Sequence, residues 1–153
     1  MAAAEVHGSL AQSLATGSDR LEEQSLAFES LAVSIGAPRS TYQALKALRE
    51  SSGLAVPVNN DGLVDMQERL ARDEGIFAEL ASVTPLLALA RLREGGVITP
   101  DDHVVAVVTA SGLKDLDRSV GQAGNDTIFR STDDAWDWLG RNAAGLMGRQ
   151  PRD

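Results

Sequence analysis

Cysteine is absent from the sequence. That excludes disulfide staples, thiolate metal ligands and a cysteine nucleophile together. Histidine is nearly as scarce. His7 and His103 stand far apart, each alone, and give no zinc spacing, so no metal site is expected. Lysine is reduced to Lys46 and Lys114, against twelve arginines. Chemistry that needs a lysine imine therefore has two candidates within these residues. No apolar run approaches the roughly 20 residues that span a bilayer. The opening MAAAEVHGSL has neither the basic stretch nor the long apolar core of a secretion signal, so a cytoplasmic location is expected. No basic stripe appears either, and with a net charge of −8 nucleic acid is not an expected partner.

What is present suits one globular domain. The 153 residues are 43% apolar, enough to bury a core unaided. Strand-like and helix-like segments alternate, which predicts an α/β fold with a parallel sheet and flanking helices over residues 1–148, followed by a loose tail at 149–153. Ala2 to Val6 reads as a very short strand, with an open edge that a partner would cover. Leu10 and Leu14 mark a short helix stopped by Gly17. The polar stretch from Ser18 to Ser30 reads as a loop, with a helical turn expected at Asp19–Gln24, and Leu31–Ile35 as a short extended piece. Ser40 to Glu50 reads as a helix, capped by Ser40 with Gln43 and buried through Ala44, Leu45 and Leu48. Lys46 lies off that side, paired with Glu50. Gly53–Val58 reads as a strand that Pro57 places at an edge. A helix capped by Asn59 or Asn60 runs to Glu74, with Leu63, Met66 and Leu70 as its inner stripe. A nearly apolar helix follows from about Ser82 to Glu94. Thr127–Phe129 reads as a strand. A last helix opens at Ser131 and turns Trp136, Leu139, Ala143, Leu146 and Met147 inward, with Trp138 off that side.

The stretch Asp101–Asp115, DDHVVAVVTASGLKD, organises the rest. His103 to Val108 is a β-branched run of the kind buried on both faces of a sheet. It ends in small residues, Thr109-Ala110-Ser111-Gly112. Ligands of open α/β sheets sit beyond the carboxyl ends of strands, which puts Thr109 and Ser111 where a ligand would lie. A core strand followed by an ordinary turn would give the same pattern. Glu79, between apolar and small residues, reads equally as a surface acid or as a first-turn acid of the following helix.

Three segments carry a resemblance. Gly75-Ile76-Phe77-Ala78-Glu79, Arg91-Leu92-Arg93-Glu94-Gly95 and Val107–Asp115 together resemble the carboxyl-terminal part of threonine synthases. These are fold-type II pyridoxal-phosphate enzymes, with the tryptophan synthase β-subunit architecture. Leu31–Ile35, Ala44-Leu45-Lys46-Ala47-Leu48 and Thr127–Gly140 fit the same pattern in order, so the resemblance covers almost the whole chain.

The resemblance implies that Thr109 faces the cofactor's pyridine nitrogen, that Glu79 lies near the ring, and that Gly112 closes a turn beside Ser111. It implies no catalytic residue here: the Schiff-base lysine and the phosphate loop belong upstream, and Lys114 falls in the family's Gly-Leu-Lys-Asp turn. The sequence departs from the pattern at Leu80, where proline is usual, at Ala110, where glycine is common, and at Ser111, where histidine is frequent. The reading that results is the small subunit of a split enzyme. It shares pyridoxal phosphate with a partner chain that carries the lysine, and acts on an amino acid by β/γ-elimination or replacement. The alternative is a non-catalytic regulatory or stabilising partner of a homologous enzyme. An autonomous small-molecule binder is a third reading.

Overall fold

A computed structural model describes residues 1–26, 28–116 and 131–147. Two compact units divide the chain, residues 1–121 and 122–153. The first is α/β. Strand β1 (Ala2–Glu5) pairs in parallel with β2 (Leu54–Pro57), Ala2 opposite Leu54 and Glu5 opposite Pro57. Parallel pairing requires a crossover, and helices α1 (Ser9–Thr16) and α2 (Tyr42–Glu50) lie within it. Helices α3 (Leu63–Glu74) and α4 (Leu80–Glu94) follow.

The crossover is held by polar ties as much as by packing. The buried Glu5 carboxylate accepts from the amides of Leu10 (3.0 Å) and Ala11 (2.7 Å), so an acid at the end of β1 satisfies the first turn of α1. Thr41, one residue later than the expected Ser40, caps α2 by accepting from Ala44 N at 3.3 Å. Ser40 instead donates its own amide to Ser9 Oγ, which fixes it to α1. Leu45 and Leu48 are fully buried against Leu10 and Leu21, as the spacing predicts, and Lys46 pairs with Glu50 at 3.6 Å.

Several expectations change. Asp19–Gln24 forms no helical turn: Gln24 is held extended by its amide on Pro38 O and by its carbonyl, which accepts from His7 Nδ1. That bond gives His7 a structural role. Leu31–Ile35 is not extended. Asn60 Oδ1 and Ser30 Oγ take the amides of Leu31 and Ala32, and Val33–Ile35 closes a 3-10 turn. Asn60 is thus used in a loop, and α3 begins after Gly62 rather than at an asparagine cap. The inner stripe of α3 is Leu63 with Met66 and Leu70, joined by a fully buried Gln67. Helix α4 starts at Leu80, two residues early. Its interior Pro85 cannot bond the Ala81 carbonyl, and the Thr84 hydroxyl does so instead at 2.7 Å.

The largest correction concerns residues 103–108. Apart from the half-buried Ala106 they are exposed, Val105 at 89%, and among the described residues they pair with no strand. β-branched composition made them strand-like, but a strand also needs a ladder partner.

In the second unit, α5 (Thr132–Met147) opens where expected, with Ser131 Oγ accepting from Asp134 N at 3.1 Å. The expected faces are reversed. Trp136 is 66% exposed and Trp138 is half-buried. The side chains of Ala143, Leu146 and Met147 lie outside the described residues, as do the expected strand Thr127–Phe129 and the tail. No helix among the described residues is long and apolar enough to cross a membrane.

Candidate cofactor-facing site

The site forms where the segment after the valine run returns to the start of α4. Glu79 N donates to Ala110 O and Gly112 N to Phe77 O, both at 2.9 Å, making an antiparallel bridge between Ala78 and Ser111. This bridge brings Glu79, Thr109, Ser111 and Gly112 together although they are some thirty positions apart in the chain. Gln67 braces it from α3, its Nε2 donating to Ala78 O at 2.5 Å.

Gly112 is buried and tightly approached. A Cβ there would stand 2.6 Å from the Phe77 ring and 2.9 Å from Ala78 O, so a side chain does not fit. After it, Gly112–Asp115 forms a 3-10 turn whose start is capped by Ser111 Oγ accepting from Leu113 N. Ser111 is thereby partly committed to holding the turn.

Thr109 is exposed, and its hydroxyl lies 2.9 Å from Ser82 Oγ. Ser82 Oγ in turn accepts from Ala110 N at 3.0 Å. Ser82 Oγ keeps a second lone pair as well as its own hydrogen, so either hydroxyl can donate across this contact. Where Ser82 donates, the Thr109 hydrogen is left for an incoming acceptor.

Glu79 is buried at the mouth of α4. Its carboxylate is held by Lys114 Nζ at 3.2 and 3.4 Å and by a short bond from Ser34 Oγ. Lys114 Nζ also donates to Ser34 Oγ at 3.0 Å. Of the two readings left open by the sequence, the surface acid is excluded by burial, while the helix-start position holds: Glu79 is the residue that opens α4, and its two side-chain partners are themselves exposed. Lys114 serves as its counter-ion. No group of three or more metal-ligating side chains exists among the described residues.

Sequence reasoning missed Ser34 and Ser82, which orient Glu79 and Thr109. Ser82 had a faint signal, being a hydroxyl in the first turn of an otherwise apolar helix. Ser34 had none.

The cluster offers neutral hydroxyls beside a tightly approached glycine turn. Nothing in the cluster cradles a phosphate or offers a free amine.

Comparison with known proteins identifies the family. The pattern of the family described as pyridoxal-phosphate dependent enzyme matches residues 2–110. Threonine synthase from Methanocaldococcus jannaschii is 40% identical over 89 residues, 58% of this chain and 22% of that protein. Threonine synthase from Methanosarcina acetivorans is 36% identical over 104 residues, 68% of this chain and 26% of its own length. The corresponding enzyme of Bacillus sp. (strain ULM1) is 34% identical over 102 residues, 67% and 29% respectively. The chain therefore spans about a quarter of the length of these relatives.

Proposed function

This chain belongs to the pyridoxal-phosphate dependent enzyme family, and from that premise we propose that it supplies the ring-facing side of a threonine synthase-like site. In this reading the Schiff-base lysine and the phosphate cradle are provided by a partner chain, and the pair acts on an amino acid by β/γ-elimination or replacement. Bound pyridoxal phosphate supplies the electron sink that such reactions need.

The observation that carries the reading is the hydrogen-bond chain ending at Thr109. In this reading Thr109 donates to the pyridine nitrogen. A hydroxyl has too little acidity to transfer its proton there, so the nitrogen stays neutral and the sink is moderated. Gly112 lets the turn approach the ring, and Ser111 fixes that turn. Glu79 is charge-balanced by Lys114 before any ligand arrives, so it shapes the site rather than exchanging a proton with substrate.

The test is the visible absorption spectrum of the loaded complex. Thr109→Ala should shift the cofactor band and Thr109→Ser should restore it. An unchanged spectrum in Thr109→Ala removes the support.

The second reading, a non-catalytic stabilising partner of a homologous enzyme, is favoured by the Glu79–Lys114 pair, in which the buried acid is already balanced by a cation of this chain. It predicts that Thr109→Ala leaves binding to the enzyme and its turnover unchanged.

A further inference from the structure

The turn that leads into α3 holds the single aspartate–glycine pair of the chain, Asp61-Gly62. Both residues are exposed. Leu63 N donates to Asn60 O at 3.1 Å, and Gly62, at φ +74° and ψ 3°, takes the third position of a type II turn. Glycine adopts that backbone without strain and puts no Cβ beside its own nitrogen.

Two atoms of the pair have no partner among the described residues. The Gly62 amide makes no hydrogen bond to any of them. Asn59 Nδ2 donates to Asp61 Oδ2 at 2.6 Å, which leaves Oδ1 without one. Arg91 Nη2 holds Asn59 Oδ1 at 2.9 Å and so fixes which end of the Asn59 amide faces Asp61.

We propose that Asp61-Gly62 is a self-modifying site, at which the main-chain link passes from the α- to the β-carboxyl of Asp61. The Gly62 nitrogen adds to Asp61 Cγ and gives its proton to water. Charge that gathers on Oδ2 meets the Asn59 amide. Oδ1 takes a proton and leaves as water, closing a five-membered succinimide. Water then adds to either ring carbonyl. Addition at the original main-chain carbonyl breaks its bond to nitrogen, and the chain continues through Cβ and Cγ. Addition at Cγ restores aspartate. One water leaves and one enters, so mass and oxidation state are unchanged.

The isomer has one more atom in the main chain and a free carboxylate on Cα, inside a turn fixed at both ends. Leu63 follows it and is 1% exposed. Asn60 precedes it, accepting from Leu31 N at 2.9 Å and donating to Glu29 O at 2.8 Å. Leu31 leads into the 3-10 turn that presents Ser34 to Glu79. The extra atom shifts Asn60 relative to Leu63, so the tie to residues 29–31 loosens and the Ser34 contact with it. The inference does not depend on the cofactor reading.

The test incubates the purified chain at physiological temperature and neutral pH. Isoaspartate is read by methyl transfer from S-adenosylmethionine with an isoaspartyl methyltransferase, and located by peptide mapping. It should accumulate at Asp61 about tenfold or more faster than at any other aspartate, none of which precedes glycine. Asp61→Glu, which would have to close a six-membered ring, should lose the signal. Asp61→Asn reaches the same five-membered ring by releasing ammonia, and should give isoaspartate at the same position. In the aged sample the isomer has its own set of amide resonances, in which Leu31 and Leu63 should exchange about tenfold or more faster. Accumulation at Asp61 no faster than elsewhere overturns the proposal. So does a signal undiminished in Asp61→Glu, or none at residue 61 in Asp61→Asn. Unchanged exchange at Leu31 and Leu63 in the isomer overturns its link to Ser34.

Discussion

Lys114 and Glu79 close an ion pair across 35 residues of chain, with the ammonium 3.2 Å from one carboxylate oxygen and 3.4 Å from the other. The two ends differ sharply in burial: the Glu79 side chain is 6% exposed and that of Lys114 is 61% exposed. The pair ties the 3-10 turn after Gly112 to the mouth of α4, so it holds the two halves of the site in register. Removing the cation leaves a buried carboxylate supported by Ser34 alone. An enclosed pair would cost several kcal/mol on losing one partner, and the exposure of Lys114 lowers this to about 1–2 kcal/mol. Lys114→Met should therefore lower Tm by roughly 3–10 °C. Glu79→Gln added to it should recover part of that loss. A double-mutant cycle with a coupling energy near zero would show the pair to be incidental.

Asp102 gives a pH signature independent of the site. Its carboxylate accepts from the backbone amide and the hydroxyl of Thr99, each at 2.8 Å. These bonds, the backbone one foremost, hold its pKa below the ordinary 3.8. A folded value below the unfolded one means that its contribution to stability is present above the unfolded value and is lost as pH falls through the folded value. The carboxyl ¹³C shift of Asp102 should titrate below 3.8. In Thr99→Val, which keeps the amide and removes the hydroxyl, the midpoint should rise only part of the way back. A midpoint at or above 3.8 in the unsubstituted protein contradicts the two bonds from Thr99.

Much of this was legible in the sequence wherever the cause is local. The periodic leucines of α2 and α3 gave both helices, and Gly17 and Gly75 marked helix ends where the backbone turns left-handed. The sequence points to Thr109, Ser111, Gly112 and Glu79, and the Ala78–Ser111 bridge brings them together. The failures share a physical origin, which is dependence on a distant partner. Val104–Val108 has the composition of a strand, but composition does not supply the chain on either side. Ser40 has a capping pattern, yet Ser9 takes its amide and Thr41 becomes the cap. Ser34 meets Glu79 from 45 residues away, and no local pattern records that contact.

Ser82 should matter more to stability than Thr109, although only Thr109 is placed to meet a ligand. Ser82→Ala leaves the Ala110 amide without its acceptor, a loss of about 1–2 kcal/mol. Thr109→Val removes a hydroxyl whose partner, Ser82, keeps its other bond, so its cost should stay below about 1 kcal/mol. Urea denaturation of the two variants gives the order directly. Equal midpoints, or a larger loss in Thr109→Val, would mean that the hydrogen-bond chain does not run through Ser82.

Gly112 and Gly75 are both glycines, and they should fail for different reasons. At Gly75 φ is +70° and nothing lies within 4 Å of a built Cβ, so Gly75→Ala costs backbone strain of about 1–2 kcal/mol that no second substitution relieves. Gly112 carries no such strain; its Cβ would instead meet the Phe77 ring and the Ala78 carbonyl. Gly112→Ala should cost about 1–3 kcal/mol through crowding. Crowding against a side chain can be relieved, whereas crowding against a backbone oxygen cannot. Phe77→Leu combined with Gly112→Ala should therefore recover part of the loss beyond the cost of Phe77→Leu alone, and leave the part owed to Ala78 O. The same Phe77→Leu change should do nothing for Gly75→Ala. Denaturation midpoints of the five variants decide the matter. If Gly112→Ala is as stable as the parent, the 77–79 and 110–112 segments do not approach as closely as described, and Glu79 and Thr109 do not share one site.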